Sequence, residues 1–242
     1  MELKRYYEVI IQEGLYSTVP RLKFHLNALF DKVDFQGKRV LDIGGGNGRY
    51  CFYAHCKGAE EAICLEPEDD GSRTGVVETF RKVGKLLDVD NVSVETVTFQ
   101  DYDPGDKKFD IIILYDSINH LDEDSCIDLL ENKTSRDSYM KLFLKLRSIA
   151  NKGTQLIICD CSRHNFYPFI KIPNPIDPGI EWEKHQAPET WIEMLTEVGF
   201  ANPNVRWTTF NPLKKIGKLL LGNKIASYFL TSHFHLSMEL PG

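Results

Sequence analysis

A chain of 242 residues with 42% hydrophobic residues and a formal net charge of −6 can bury one sizeable core, and its acidic balance excludes a general nucleic-acid binder, which presents a basic surface. Six cysteines without a C-x-x-C pair read as small buried hydrophobes in a reducing compartment. With no N-terminal signal pattern and no apolar run of about 18 residues, the expected location is cytoplasmic and the expected substrate a small molecule.

Apolar positions at helical spacing over residues 1–12 and 20–30 predict two helices forming an N-terminal cap, residues 1–36, that could act as a lid. From residue 39 short apolar runs alternate with amphipathic segments. Arg39–Ile43, Ala62–Leu65, Val92–Val97, Phe109–Tyr115 and Leu156–Cys159 read as strands, with helices near 48–57, 73–87 and 136–150. That alternation makes βαβ units and a parallel sheet, so 37–160 is the core of a single α/β domain. The all-apolar run Ile111–Leu114 predicts a mid-sheet strand covered on both faces.

Residues 161–188 carry five prolines, which argues against regular structure, together with Phe166, Tyr167, Phe169, Ile172 and Trp182, which are too apolar for simple disorder. The expectation is a loop covering the substrate. A helix near 189–198 and strands at Val205–Phe210 and Tyr228–Met238 complete the chain.

The most informative stretch is Val40–Tyr50, an apolar strand ending in Asp42 and running into Gly44, Gly45, Gly46 and Gly48. Glycines clustered between a strand and a helix imply a bound ligand, because they accept positive φ and let a ligand approach the backbone. A dinucleotide fingerprint G-x-G-x-x-G/A would need a small residue where Arg49 stands. The pattern Asp42-x-Gly44-x-Gly46-x-Gly48 instead resembles the first motif of class I S-adenosylmethionine-dependent methyltransferases, in their small-molecule branch.

The resemblance implies a Rossmann-like, seven-stranded, mostly parallel sheet with helices on both faces and an antiparallel last strand. It implies S-adenosylmethionine held by Asp42, Gly44, Gly45 and Gly46. Glu66, followed by Pro67, stands about twenty residues on, at the tip of the second strand, where a carboxylate accepts both ribose hydroxyls. In the family an acid after the third strand reaches the adenine; here its place falls on Thr98, followed by Phe99, with Gln100 and Asp101 the nearest polar substitutes. Tyr115 and Asp116, ending the fourth strand, face the methionine moiety in a typical member.

For the methyl acceptor, Asp116-Ser117-Ile118-Asn119 lacks the Pro-Pro-aromatic signature of base N-methylation. A hydroxyl acceptor calls for a base that titrates near neutrality, and histidine supplies one. His185 is preferred and His120 is the alternative, with His164, Phe166, Tyr167 and Trp182 as substrate contacts. His233 and His235 share a strand face but lack a third ligand, so no metal is expected. The basic, apolar stretch Leu213–Leu221 is expected to pack on the fold rather than to contact a membrane. The expected activity is methyl transfer to a hydroxyl of a small polar metabolite or saccharide intermediate. The alternatives are an NAD-dependent oxidoreductase and a non-catalytic S-adenosylmethionine-binding protein. The oligomeric state is not legible.

Overall fold

Strand β1 (Arg39–Ile43) is buried from Val40 to Ile43, and parallel neighbours on both sides explain why its Val40, Leu41 and Ile43 are apolar on both faces. The computed structural model describes residues 2–68, 74–208 and 221–242. Two compact units divide the chain, Met1–Tyr115 and Asp116–Gly242.

In the first unit β1 lies between β2 (Glu61–Leu65) and β4 (Phe109–Tyr115), and β3 (Val92–Glu95) pairs with β2, all parallel. Three helices of the βαβ pattern and cap accompany them: α1 (Glu2–Gln12), α2 (Val19–Phe30) and α3 (Arg49–Cys56), followed by α4 (Val76–Leu87). Helix α2 starts where Thr18 accepts the Arg21 N–H at 3.4 Å and Pro20 occupies the first turn. Its buried Leu22, Leu26, Leu29 and Phe30 recur at helical spacing. Phe30 packs on Phe35 and Tyr53 at ring-centroid distances of 5.4 and 5.7 Å, which joins the cap helix to α3.

In the second unit β5 (Ala150–Cys161) pairs antiparallel with β7 (His233–Glu239), which pairs antiparallel with β6 (Ala201–Trp207). The helices here are α5 (Glu123–Ile127), α6 (Lys133–Ser148), α7 (Phe166–Phe169), α8 (Pro188–Glu197) and α9 (Lys224–Tyr228). The fully buried Trp191 of α8 packs tilted on Tyr139 at 5.3 Å and edge-to-face on Phe143 at 5.9 Å, both of α6. One indole buried this way removes roughly 200 Å² from water, about 5 kcal/mol of transfer free energy.

Seven strands, mostly parallel with antiparallel last strands, and helices around them make the Rossmann-like class that was expected. Local boundaries differ. Strand β3 stops at Glu95 rather than Val97, and β5 is twelve residues long, because the exposed stretch before Leu156 pairs as well as the apolar run after it. Residues 161–188 are not wholly irregular: Asn165 accepts the Tyr167 N–H at 3.0 Å and starts α7, and Trp182–Lys184 forms a 3-10 turn. The predicted strand from Tyr228 is helix α9 and a turn before β7 begins at His233. The predicted strand ending at Phe210 begins earlier, at Ala201, and its residues 209–210 lie outside those described, as do 213–220 of the basic stretch.

Candidate cofactor site and acid–base pair

The glycine turn is tied to the end of β2. Gly44 and Gly45 both donate to the Leu65 carbonyl, at 2.9 and 3.2 Å, so the turn reaches over the neighbouring strand before α3 begins. Gly48 has φ 72° and a Cβ there would lie 2.2 Å from the Phe80 ring, so this position is glycine for both conformational and packing reasons. A Cβ on Gly45 would come within 2.6 Å of Asp42 Oδ2. These two glycines are therefore needed by the protein's own packing, whereas a Cβ at Gly46 would meet nothing nearer than Glu66 Oε2 at 3.9 Å.

Glu66, 3% exposed, joins the turn directly: Oε2 accepts the Gly46 N–H at 2.8 Å and Oε1 accepts the Glu68 N–H at 3.2 Å. A carboxylate offers about four lone-pair positions, the capacity that recognition of a diol draws on. Asp42 is fully buried, and its Oδ1 has no hydrogen-bond partner among the described residues; Cys51 Sγ lies 3.9 Å from Oδ2. Burial pushes its carboxyl up to about 7, against the pull of the Arg49 charge and with the push of Glu66. A buried acid with an unmet acceptor suits a cationic ligand group, which would return the carboxyl to its charged form.

Thr98 is not available as a simple substitute for the missing acid, because its hydroxyl donates to Asp101 Oδ2 at 2.8 Å. The turn thereby brings the Asp101 carboxylate beside the position where an acid was sought. Phe99 is buried, Gln100 exposed, and Pro67 half-buried. Tyr115, half-buried, faces Tyr50 and His25 at ring-centroid distances of 5.0 and 5.6 Å. The pairing of His25 with Tyr50 is not legible in the sequence, because the two stand 25 residues apart and only the fold joins them.

In the second unit, Asp116 has φ 50°, a left-handed backbone rare for a non-glycine residue, and its N–H donates to the Cys159 carbonyl at 2.8 Å. His185 Nδ1 lies 2.8 Å from Oδ1 of the buried Asp160, which also accepts the Cys161 N–H at 2.7 Å. The imidazole proton thus belongs on Nδ1 and the lone pair on Nε2. Burial alone would depress the imidazolium, but the Asp160 hydrogen bond and the charges of Asp160, Asp116 and Glu181 outweigh it and raise the His185 pKa. Both neighbours of His185 are anchored. The Lys184 carbonyl accepts from Cys126 Sγ at 3.2 Å and Lys184 Nζ meets Glu123 at 3.1 Å, while Gln186 Nε2 donates to the Cys126 carbonyl at 2.5 Å.

The other predicted residues of this unit divide differently. His120 is bonded to Glu123 and is 40% exposed. His164 is exposed, its carbonyl accepting the Ser232 hydroxyl at 2.8 Å. Phe166 packs on Tyr167 and Phe229 at 5.6 and 5.2 Å, and Trp182 is half-buried in its 3-10 turn. The structure therefore pairs His185 with an acid and leaves His120 in an exposed bridge. Among the described residues no group of three or more His, Cys, Asp or Glu is arranged to hold a metal, and no helix is long and apolar enough to cross a membrane.

An acid-ended strand, a four-glycine turn and a buried carboxylate one strand over define a nucleoside-cofactor fold of the Rossmann-like class. Within that class, the profile of the family described as "Methyltransferase domain" matches residues 17–220, and the chain belongs to that family. It is an S-adenosylmethionine-dependent methyltransferase, and S-adenosylmethionine is its cofactor. Among solved structures it resembles an S-adenosylmethionine-dependent methyltransferase from Mesorhizobium loti, at 15% identity and TM-score 0.60 over 89% of this chain and 95% of that one. A counterpart from Aquifex aeolicus is 17% identical with TM-score 0.58, over 91% and 98%. The [4+2]-cyclase SpnF shares the fold at 13% identity and TM-score 0.59, over 93% and 82%. At these identities the likeness shows the fold alone. A comparison with curated proteins finds no match.

Proposed function

We propose that the chain transfers the methyl group of S-adenosylmethionine to a hydroxyl of a small polar metabolite or saccharide intermediate, with His185 as the general base. The observation that carries this reading is the His185–Asp160 pair at 2.8 Å, an imidazole oriented by a buried acid. Asp42, Gly44, Gly45, Gly46, Glu66, Pro67, Thr98, Phe99, Gln100 and Tyr115 would hold the cofactor, with Asp116 following Tyr115 in the chain. When bound, S-adenosylmethionine supplies a methyl carbon already activated by the positive sulfur.

The residues' part is to bind, orient and move one proton. With the cofactor bound, His185 Nε2 would take the proton of the acceptor hydroxyl as that oxygen receives the methyl group. Asp160 keeps the proton on Nδ1 and stabilises the imidazolium that forms. Orientation can supply roughly 7–11 kcal/mol of such a barrier, against about 3–5 kcal/mol for a positioned base. His164, Phe166, Tyr167 and Trp182 are proposed to contact the acceptor. A cytoplasmic location is supported by the six unpaired cysteines.

The test is transfer of isotopically labelled methyl from S-adenosylmethionine into a metabolite extract, followed by the same assay with His185→Ala. The expected result is a labelled methyl ether in the parent reaction. The variant should turn over 10²–10⁴-fold more slowly with nearly unchanged cofactor affinity. Label on nitrogen or carbon, or an unchanged rate in the variant, would contradict the proposal.

A further inference from the structure

Arg163 stands just beyond β5, at the carboxyl end of a strand, where open α/β sheets collect their ligands. Its backbone is fixed from both sides. The Ser162 N–H donates to the Ser232 carbonyl at 2.9 Å, the Ser162 hydroxyl accepts the His164 N–H at 3.3 Å, and the His164 carbonyl accepts the Ser232 hydroxyl at 2.8 Å. The Arg163 side chain is half-buried, and one Nη donates to Gln186 Oε1 at 3.2 Å.

Gln186 is fully buried, and its Nε2 donates to the Cys126 carbonyl at 2.5 Å, which leaves Oε1 for the guanidinium. A buried amide thus holds a cation in place, on the residue next to His185. Burial pushes the Cys126 thiol up to about 12, and among the charges acting on it Asp160 raises and Arg163 lowers that value. Arg163 therefore lies within electrostatic reach of the same thiol as the acid that orients His185.

What Arg163 lacks is an acid. Nearby charges are matched to one another: Lys184 meets Glu123 and Glu181 at 3.1 and 2.9 Å, and Asp160 meets His185 at 2.8 Å. Among the described residues no carboxylate forms an ion pair with Arg163. A planar fork of donors with one neutral partner suits a carboxylate or phosphate, which it can hold by two parallel hydrogen bonds. A second unmet group stands close by: Asp160 Oδ2 is buried without a hydrogen-bond partner among the described residues, an acceptor for a further hydroxyl of the same ligand.

We infer that Arg163 anchors an anionic group of the methyl acceptor, a phosphate monoester or a carboxylate, so that the reacting hydroxyl is delivered to His185. This rests on His185 being the base for that hydroxyl. It narrows the acceptor to a phosphorylated saccharide or a hydroxy acid.

Inorganic phosphate and acetate are the probes, added to protein saturated with S-adenosylhomocysteine and compared with chloride at equal ionic strength. In the parent one of them should raise the thermal midpoint beyond chloride, by roughly 2–4 °C at about five times its Kd. Whichever does so distinguishes a phosphorylated acceptor from a carboxylated one. Arg163→Met should abolish the rise, and Arg163→Lys, which keeps the charge without the fork, should reduce it. No rise in the parent, or an equal rise in Arg163→Met, would overturn the assignment. In turnover the labelled methyl ether should bind an anion exchanger at neutral pH, and alkaline phosphatase should release it only if the anion is a phosphate monoester. Arg163→Met should raise the acceptor KM about ten- to a hundredfold with little change in kcat, the reverse of His185→Ala. A neutral product, or a loss of kcat at unchanged KM, would overturn the assignment equally. An anion-specific rise in a parent that makes no methyl ether would count against the base and leave the Arg163 site standing. Should Arg163→Met fail to fold, Arg163→Lys decides by the same comparisons.

Discussion

Asp42 and Glu66 are buried carboxylates on one turn, yet they do different work. Glu66 is braced by two backbone N–H groups, while Asp42 keeps an oxygen without a donor and holds its proton to about pH 7. In the unfolded chain Asp42 ionises near its ordinary value of 3.8. The folded state therefore binds the extra proton between about pH 4 and 7, and cofactor-free stability falls as pH rises through that window. Asp42→Asn should remove this dependence, so that urea unfolding of the two proteins converges toward pH 4 and separates by pH 8, with the variant the more stable. Parallel curves would refute the assignment. The same substitution should weaken cofactor binding, since the site loses its negative charge.

At His185 a raised pKa governs rate rather than stability. Its pKa is raised, and a base works only when deprotonated, so methyl transfer should increase with pH through a value above the ordinary 6.5. Asp160→Asn removes both the hydrogen bond and the negative charge. A pH–rate profile of that variant should show the acid limb moved to lower pH and the plateau lowered by roughly 10²-fold. A limb that stays in place would mean that His185 is not the titrating group.

At the scale of elements, the junction of β1 with α3 shows how a turn is fixed by packing from behind. Phe80 of α4 occupies the space a Gly48 side chain would need, and it lies 4.8 Å ring to ring from Phe52 of α3. Gly48→Ala should cost about 1–3 kcal/mol through the left-handed backbone and the clash with Phe80, read as a lowered midpoint in denaturant unfolding. A variant as stable as the parent would mean that α4 yields easily. In the second unit α5, which periodicity did not reveal, braces both neighbours of His185 through Cys126 and Glu123. Five residues are too few to establish a helical period. The helix starts because Asp122 accepts the Ser125 N–H at 3.1 Å and the Ser138 hydroxyl at 2.6 Å, the second a partner from another helix.

For the whole molecule, what could be read in the sequence followed from how local the physics was. β1 and β4 have the predicted bounds, because burial on both faces leaves a mostly apolar run, Val40–Leu41 with Ile43 in one and Ile111–Leu114 in the other. β5 is longer than its apolar run, because backbone pairing with β7 at Gln155–Cys161 and with Leu240 at Gly153 and Thr154 satisfies backbone groups whatever the side chains are. At the cofactor turn, Glu66 was legible from its spacing after the glycines. The enclosure of Arg49 by Leu15 and Tyr16 was not, since only the fold brings those residues together, and the bond from Thr98 to Asp101 belongs to a local turn that apolar spacing does not mark.

The account's central claim, that the Asp42–Gly48 turn and Glu66 hold S-adenosylmethionine, is tested most directly by calorimetric titration with its demethylated product, S-adenosylhomocysteine, against the parent and Glu66→Ala. The expected result is one site per chain with micromolar affinity in the parent and at least roughly tenfold weaker binding in the variant. No heat of binding to the parent at millimolar ligand, or equal affinity in the two proteins, would contradict it.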